Sequence, residues 1–146
     1  MRTFFALLLL TAAFIATADK PRPTKKQMVS QLKAVCQLIL DEDYAAAADQ
    51  FILPAGMSPE RSREALAGLV TKREISLSGI DILKTEGTFG PLKEIFPERG
   101  PRWMERSAIA TAGDCYGLAY KNAEVAGFWT GKQFKFFRMD DVGKLY

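Results

Sequence analysis

Residues 115–138 constrain the fold most, because three short runs of aromatic and small residues alternate with turn-forming positions. The runs are Cys115–Tyr120, Val125–Thr130 and Gln133–Arg138, separated by Lys121 to Glu124 and by Gly131-Lys132. Runs of this length with such spacers predict an antiparallel meander. Gly131-Lys132 suits a two-residue turn with glycine first, and Lys121 to Glu124 a four-residue loop. The tight turn sets Trp129 opposite Phe134, Phe128 opposite Lys135, Gly127 opposite Phe136 and Ala126 opposite Phe137. The longer loop sets Tyr120 opposite Val125, Leu118 opposite Gly127 and Tyr116 opposite Trp129. One face then carries Tyr116, Leu118, Tyr120, Val125, Trp129, Phe134 and Phe136, and the other carries Cys115, Gly117, Ala119, Ala126, Phe128, Lys135 and Phe137.

A sheet that is apolar on both sides must be covered on both. The upstream sequence supplies helices for this. Thr24 and Gln27 stand at capping-box spacing, and Met28, Val29, Leu32, Val35, Cys36 and Ile39 form one stripe, which predicts a helix over about 25–40 with Cys36 on its buried face. Asp41-Glu42-Asp43 is unfavourable at the negative end of that helix and favourable at the start of the next, so Asp43 caps a second helix from Tyr44 to about Ile52. Ser58-Pro59-Glu60 opens a third helix, striped by Ala65, Leu66, Leu69 and Val70. Residues 74–84 alternate as a strand does, which points to a strand near 80–84. Glycine and proline punctuate 86–101 around a short helical turn at Leu92–Phe96, and Pro101 starts a small helix to about Ala108. The fold class expected is α+β: N-terminal helices packed against a C-terminal antiparallel meander.

At the N-terminus, Arg2 precedes an apolar run from Phe4 to Ile15 that closes on Ala16-Thr17-Ala18. This is the pattern of a cleavable signal peptide, 1–18, and the run is too short to span a bilayer. The expectation is a secreted or periplasmic protein with no membrane anchor after cleavage: an extended leader at 19–24, where Pro21 and Pro23 oppose helix, and a single domain at 25–146. Of the 146 residues about 128 would remain, with 19 basic against 17 acidic side chains. That balance argues against a nucleic-acid partner.

Histidine is absent, which removes the commonest general base and metal ligand. With two cysteines besides, neither a metal site nor a cofactor is expected. Export, an even cysteine count and the buried position of Cys36 lead to a disulfide between Cys36 and Cys115.

The order of elements resembles that of the NTF2-like superfamily. Its bearers here are a first helix, Asp43-Tyr44 leading a helix to Phe51, a third helix, and a meander closing on Phe134-Lys135-Phe136-Phe137. The resemblance implies a cone-shaped α+β fold with a cavity at its open end, in a superfamily of isomerases, dehydratases, transport factors and exported domains. The loop-rich stretch 86–114 departs from that pattern.

Three functions stay open. In the first, the chain is a non-catalytic domain that binds a small apolar ligand or a protein partner through Tyr116, Tyr120, Trp129 and Phe134. In the second, it is a cavity enzyme pairing a carboxylate with a tyrosine, from Asp114, Asp140, Asp141, Tyr44, Tyr116 and Tyr120. In the third, it is a structural module that forms a homodimer through a sheet edge or face. Arg61, Arg63, Lys72 and Arg73, interspersed with Glu60, Glu64 and Glu74, read as a solvated helix surface.

Overall fold

Thr24 starts the first helix, α1 (Lys25–Leu40), as the sequence predicts. Its hydroxyl accepts the Gln27 N–H at 3.2 Å, and the Gln27 side chain accepts the Thr24 N–H at 2.8 Å. The computed structural model describes residues 21–54, 56–71 and 75–142, and the expected signal segment lies outside them. α1 closes in a doubled turn in which Asp43 donates to the Leu38 carbonyl at 2.9 Å and Glu42 to that of Ile39 at 3.1 Å. This is the Schellman arrangement, whose left-handed position favours glycine. Here Glu42 occupies it, at φ +62.

Asp43 caps α2 (Tyr44–Ala48), accepting the Ala46 N–H at 3.3 Å. The helix stops short of the expected Ile52 because the chain after it serves as an edge strand: Phe136 donates to the Gln50 carbonyl at 2.9 Å and Ile52 to the Phe136 carbonyl at 2.8 Å. α3 (Pro59–Thr71) begins with proline in its first turn and the Ser58 hydroxyl accepting the Arg61 N–H at 3.2 Å. The strand expected near 80–84 is instead a helix, α4 (Leu77–Glu86). Ser76 caps it by accepting the Gly79 N–H at 3.3 Å, and Ile80 and Leu83, three residues apart, are both fully buried. The three-residue step and the cap outweigh the two-residue alternation.

A strand not expected from the sequence follows, β1 (Thr88–Pro91), then α5 (Leu92–Ile95), α6 (Gly100–Arg106), a 3₁₀ turn at Ala112–Asp114, and the meander β2 (Cys115–Tyr120), β3 (Ala123–Trp129) and β4 (Phe134–Asp140). The sheet runs β1-β2-β3-β4, all antiparallel. Gly87 joins α4 to β1 where a Cβ would lie 2.4 Å from the Leu83 carbonyl oxygen, so no larger residue fits.

The tight turn pairs Trp129 with Phe134, Phe128 with Lys135 and Gly127 with Phe136, as expected. A bulge then sets Ala126 opposite Arg138 rather than Phe137. Between β2 and β3 the connection is shorter than expected: Lys121-Asn122 alone turn the chain, Lys121 at φ +50, so Tyr120 meets Ala123, Leu118 meets Val125 and Tyr116 meets Gly127. The correction amounts to two residues, the period of a strand, and so leaves every side chain on its predicted face.

Both faces are covered, but by different elements. Leu118, Val125, Trp129, Phe134 and Phe136 meet the whole apolar stripe of α1 together with Leu66, Ile80 and Leu83. Cys115 and Ala126 on the opposite face meet Leu92, Phe96 and Trp103, with Phe128 and Phe137 alongside. The second face is thus closed by α5, α6 and their flanks, not by the N-terminal helices. Gly117 permits this closeness, since a Cβ there would stand 3.0 Å from Ile95 and Phe96.

This division overturns the expected disulfide. Cys36 and Cys115 lie in clusters on opposite faces of the sheet, and both are free and buried. Cys36 Sγ approaches Met139 Sδ at 3.8 Å, and Cys115 Sγ the Thr111 carbonyl at 3.6 Å.

Candidate functional site

The four aromatic candidates are drawn into packing. Phe134 is fully buried, with ring centroids of Trp129 at 4.9 Å, Tyr116 at 6.2 Å and Phe136 at 6.2 Å. Tyr116 also stacks on Phe89 at 5.6 Å. Tyr120 stands apart from this group, half-buried, with the Lys121 ammonium 5.4 Å from its ring centre. Trp129 is 4 % exposed, and its indole N–H donates to the Pro21 carbonyl at 3.0 Å. It edges a shallow groove of about 390 Å³ with Lys26, Gln27, Gln31 and Lys132.

Of the carboxylates named for catalysis, Asp140 is paired with Arg138 at 2.7 Å and Asp114 belongs to the 3₁₀ turn that precedes β2. The charge that sequence reading missed is Glu124. Placed in a loop by the four-residue reading, it sits inside β3, buried: Arg99 Nη1 donates to its Oε1 at 2.9 Å, and Arg99 Nη2 lies 2.6 Å from its Oε2 as an ion pair, although Oε2 accepts no hydrogen bond. Arg138 lies 3.9 Å away, and the guanidinium carbons of Arg138 and Arg99 stand 5.0 and 5.8 Å from the Trp103 ring centre. A carboxylate flanked by two arginines is electrostatically matched. This network ties the connection before α6 to β3 and β4. The shorter turn at Lys121-Asn122 was the signal that would have revealed it.

Space for a ligand exists elsewhere. An open cleft of about 660 Å³ lies along α2 and the first turns of α3. Ala45, Ala48, Leu53 and Met57 give it an apolar surface, and Tyr44, Ser62, Arg63, Glu42, Asp43 and Asp49 line it as well. The Arg63 guanidinium carbon lies 5.9 Å from the Tyr44 ring centre. Tyr44 is thus the one candidate tyrosine that lines this cleft, and Asp114, Asp140 and Asp141 do not. Arg63, expected on a solvated surface, forms part of the wall, while Lys72 and Arg73 lie outside the described residues.

The two thiols are shielded. Burial pushes Cys36 up to about 12, and burial with the neighbouring Asp114 charge pushes Cys115 up to about 11. Neither is a ready nucleophile, because the thiolate is the reactive form. Among the described residues no group of three or more His, Cys, Asp or Glu is placed to hold a metal ion, and no helix is long and apolar enough to cross a membrane. No family model, curated protein or solved structure matches this chain.

Proposed function

We propose that the chain is an exported, non-catalytic binding domain whose ligand, a small molecule with an apolar body, seats in the cleft between α2 and α3. The observation that carries this reading is the cleft itself. About 660 Å³ of open space is lined by Ala45, Ala48, Leu53, Met57 and Pro59 together with Tyr44, Ser62, Arg63 and three carboxylates, which offers an apolar surface to a ligand's body and polar groups to orient it. The aromatic sheet face, the other candidate, is already occupied by α1. The polar tips of Tyr44 and Arg63 would orient the ligand.

Protein-observed amide NMR against a library of small apolar and amphipathic compounds tests it. Binders should shift the amides of Tyr44, Ala45, Ala48 and Met57, and Ala45→Trp, an exposed position on the cleft wall, should abolish binding while leaving the melting temperature within a few degrees. Binders that map to another surface, or that survive Ala45→Trp, would refute the assignment. A library without binders, alongside a copurifying protein that protects the same residues, would move the ligand from small molecule to protein partner.

A further inference from the structure

We propose that the cleft along α2 and α3 takes an organic cation, an amine or quaternary ammonium carried on an apolar body. The proposal rests on the binding reading above and adds the charge of the ligand. Glu42, Asp43 and Asp49 bring −3 to the lining and Arg63 brings +1, a net of −2. Counting Lys135, whose ammonium donates to the Asp49 backbone carbonyl, still leaves the cleft negative. The chain as a whole is the reverse, at +3. The cleft is thus a negative region on a positive molecule, and a local field of that sign concentrates cations.

These charges are open to a ligand. Among the described residues no ion pair joins Glu42, Asp43, Asp49 or Arg63, and all four side chains belong to exposed residues. Elsewhere opposite charges meet: Glu124 and Asp140 face Arg99 and Arg138, and Lys33 faces Asp81. The placement also gives the ligand a direction. Glu42 and Asp43 precede α2, Asp49 follows it, and Tyr44 is its first residue, whereas Arg63 belongs to α3. An aromatic face attracts positive charge. The Tyr44 ring already receives one, the Arg63 guanidinium carbon at 5.9 Å from its centre. A ligand cation takes the place of Arg63 over that ring, on the α2 side with the carboxylates, while its apolar body lies on Ala45, Ala48, Leu53 and Met57. Arg63 then repels the charge and holds it on the α2 wall.

Octyltrimethylammonium, octyl sulfate and octanol share one apolar chain and differ in charge. Each is titrated below its micelle concentration at low ionic strength, and the amides of Tyr44, Ala45, Ala48 and Met57 are followed by NMR. The cation should bind about tenfold tighter than octanol and the sulfate weakest, with the spread narrowing on added salt. Attraction to the molecule as a whole would give the opposite order, because its net charge is positive. Arg63→Gln should tighten the cation severalfold, and Glu42→Gln with Asp49→Asn should bring it down to the level of octanol. Equal affinities for the three probes, a preference for the sulfate, or a cation affinity unmoved by the double variant overturns the cation assignment and leaves the cleft as a binding site. Failure of all three probes to shift these amides overturns the cleft reading itself, and the assignment with it.

Discussion

The side-chain amide of Gln31 completes the outer edge of the sheet at Phe134: its oxygen accepts the Phe134 N–H at 2.6 Å, and its nitrogen donates to the Phe134 carbonyl. The same nitrogen reaches Gln50 Oε1 at 3.2 Å, where the backbone of Gln50 and Ile52 takes over the pairing at Phe136. An open strand edge invites pairing with other chains, and covering it is a standard protection. Here one glutamine on α1 acts in place of a neighbouring strand.

Gln31→Ala should therefore lower stability by ~2–3 kcal/mol, since it leaves a part-buried N–H and carbonyl without partners. Gln37→Ala on the same helix, whose amide bonds only the exposed Asp41, should change stability by less than ~0.5 kcal/mol. Urea melts of the two variants decide the matter: equal losses would mean the edge contact contributes nothing.

Phe136 is fully buried between α1 and the sheet. Truncation to alanine should cost ~3–5 kcal/mol, transfer and cavity together. A loss under ~1 kcal/mol would place the ring outside the core.

Glu42→Gly should stabilise the chain by about 0.5–1 kcal/mol. Glutamate strains the left-handed position that closes α1, and glycine relieves it, partly offset by the greater freedom of the unfolded chain. The gain appears as a raised denaturation midpoint with unchanged slope. A lowered midpoint would show that the carboxylate has a stabilising role at that site.

The thiols should be silent to an aromatic disulfide reagent in the native chain and titrate as two on unfolding without reductant. Their pH dependence follows from linkage. Both are raised in the folded state above the ordinary 9.0, to about 12 and about 11. Above pH ~9 the unfolded chain loses its thiol protons while the native chain keeps them, so stability holds below that pH and falls as pH rises toward the folded values. Replacing both cysteines with alanine should flatten this alkaline decline in melts at matched ionic strength; an unchanged decline would assign it to other groups.

Much of this architecture was legible in the chain, and the exceptions share a cause. Caps declared themselves, because Thr24, Asp43 and Ser58 carry the short oxygen side chains that the ends of helices demand. The faces of the meander were readable from side-chain alternation even where its register was two residues off, since alternation carries no information about which partner lies opposite. The helix at Leu77–Glu86 was misread because its buried side is short and is interrupted by Gly79, so that Ser76 was its clearest mark. β1 escaped notice because a four-residue strand containing Gly90 and Pro91 has almost no pattern of its own and exists through its pairing with β2. The cleft was least visible. It arises from the spacing between two helices, which no local periodicity encodes.

The contact between Gln31 and Phe134 spans 103 positions, whereas each strand of the meander pairs with its immediate successor. Hairpins between successive strands close quickly, while a contact of that span cannot form until nearly all the chain has been made. During synthesis from the N-terminus, α1 would emerge first and its sheet partner last; Ile80 and Leu83 of α4 can cover part of its stripe earlier, but the part that packs on Phe134 and Phe136 waits for the end of the chain. The period of greatest exposure to aggregation is therefore set by the distance along the chain between the helix and the strand that shelters it, and a holdase that recognises the α1 stripe would act before any part of the sheet exists.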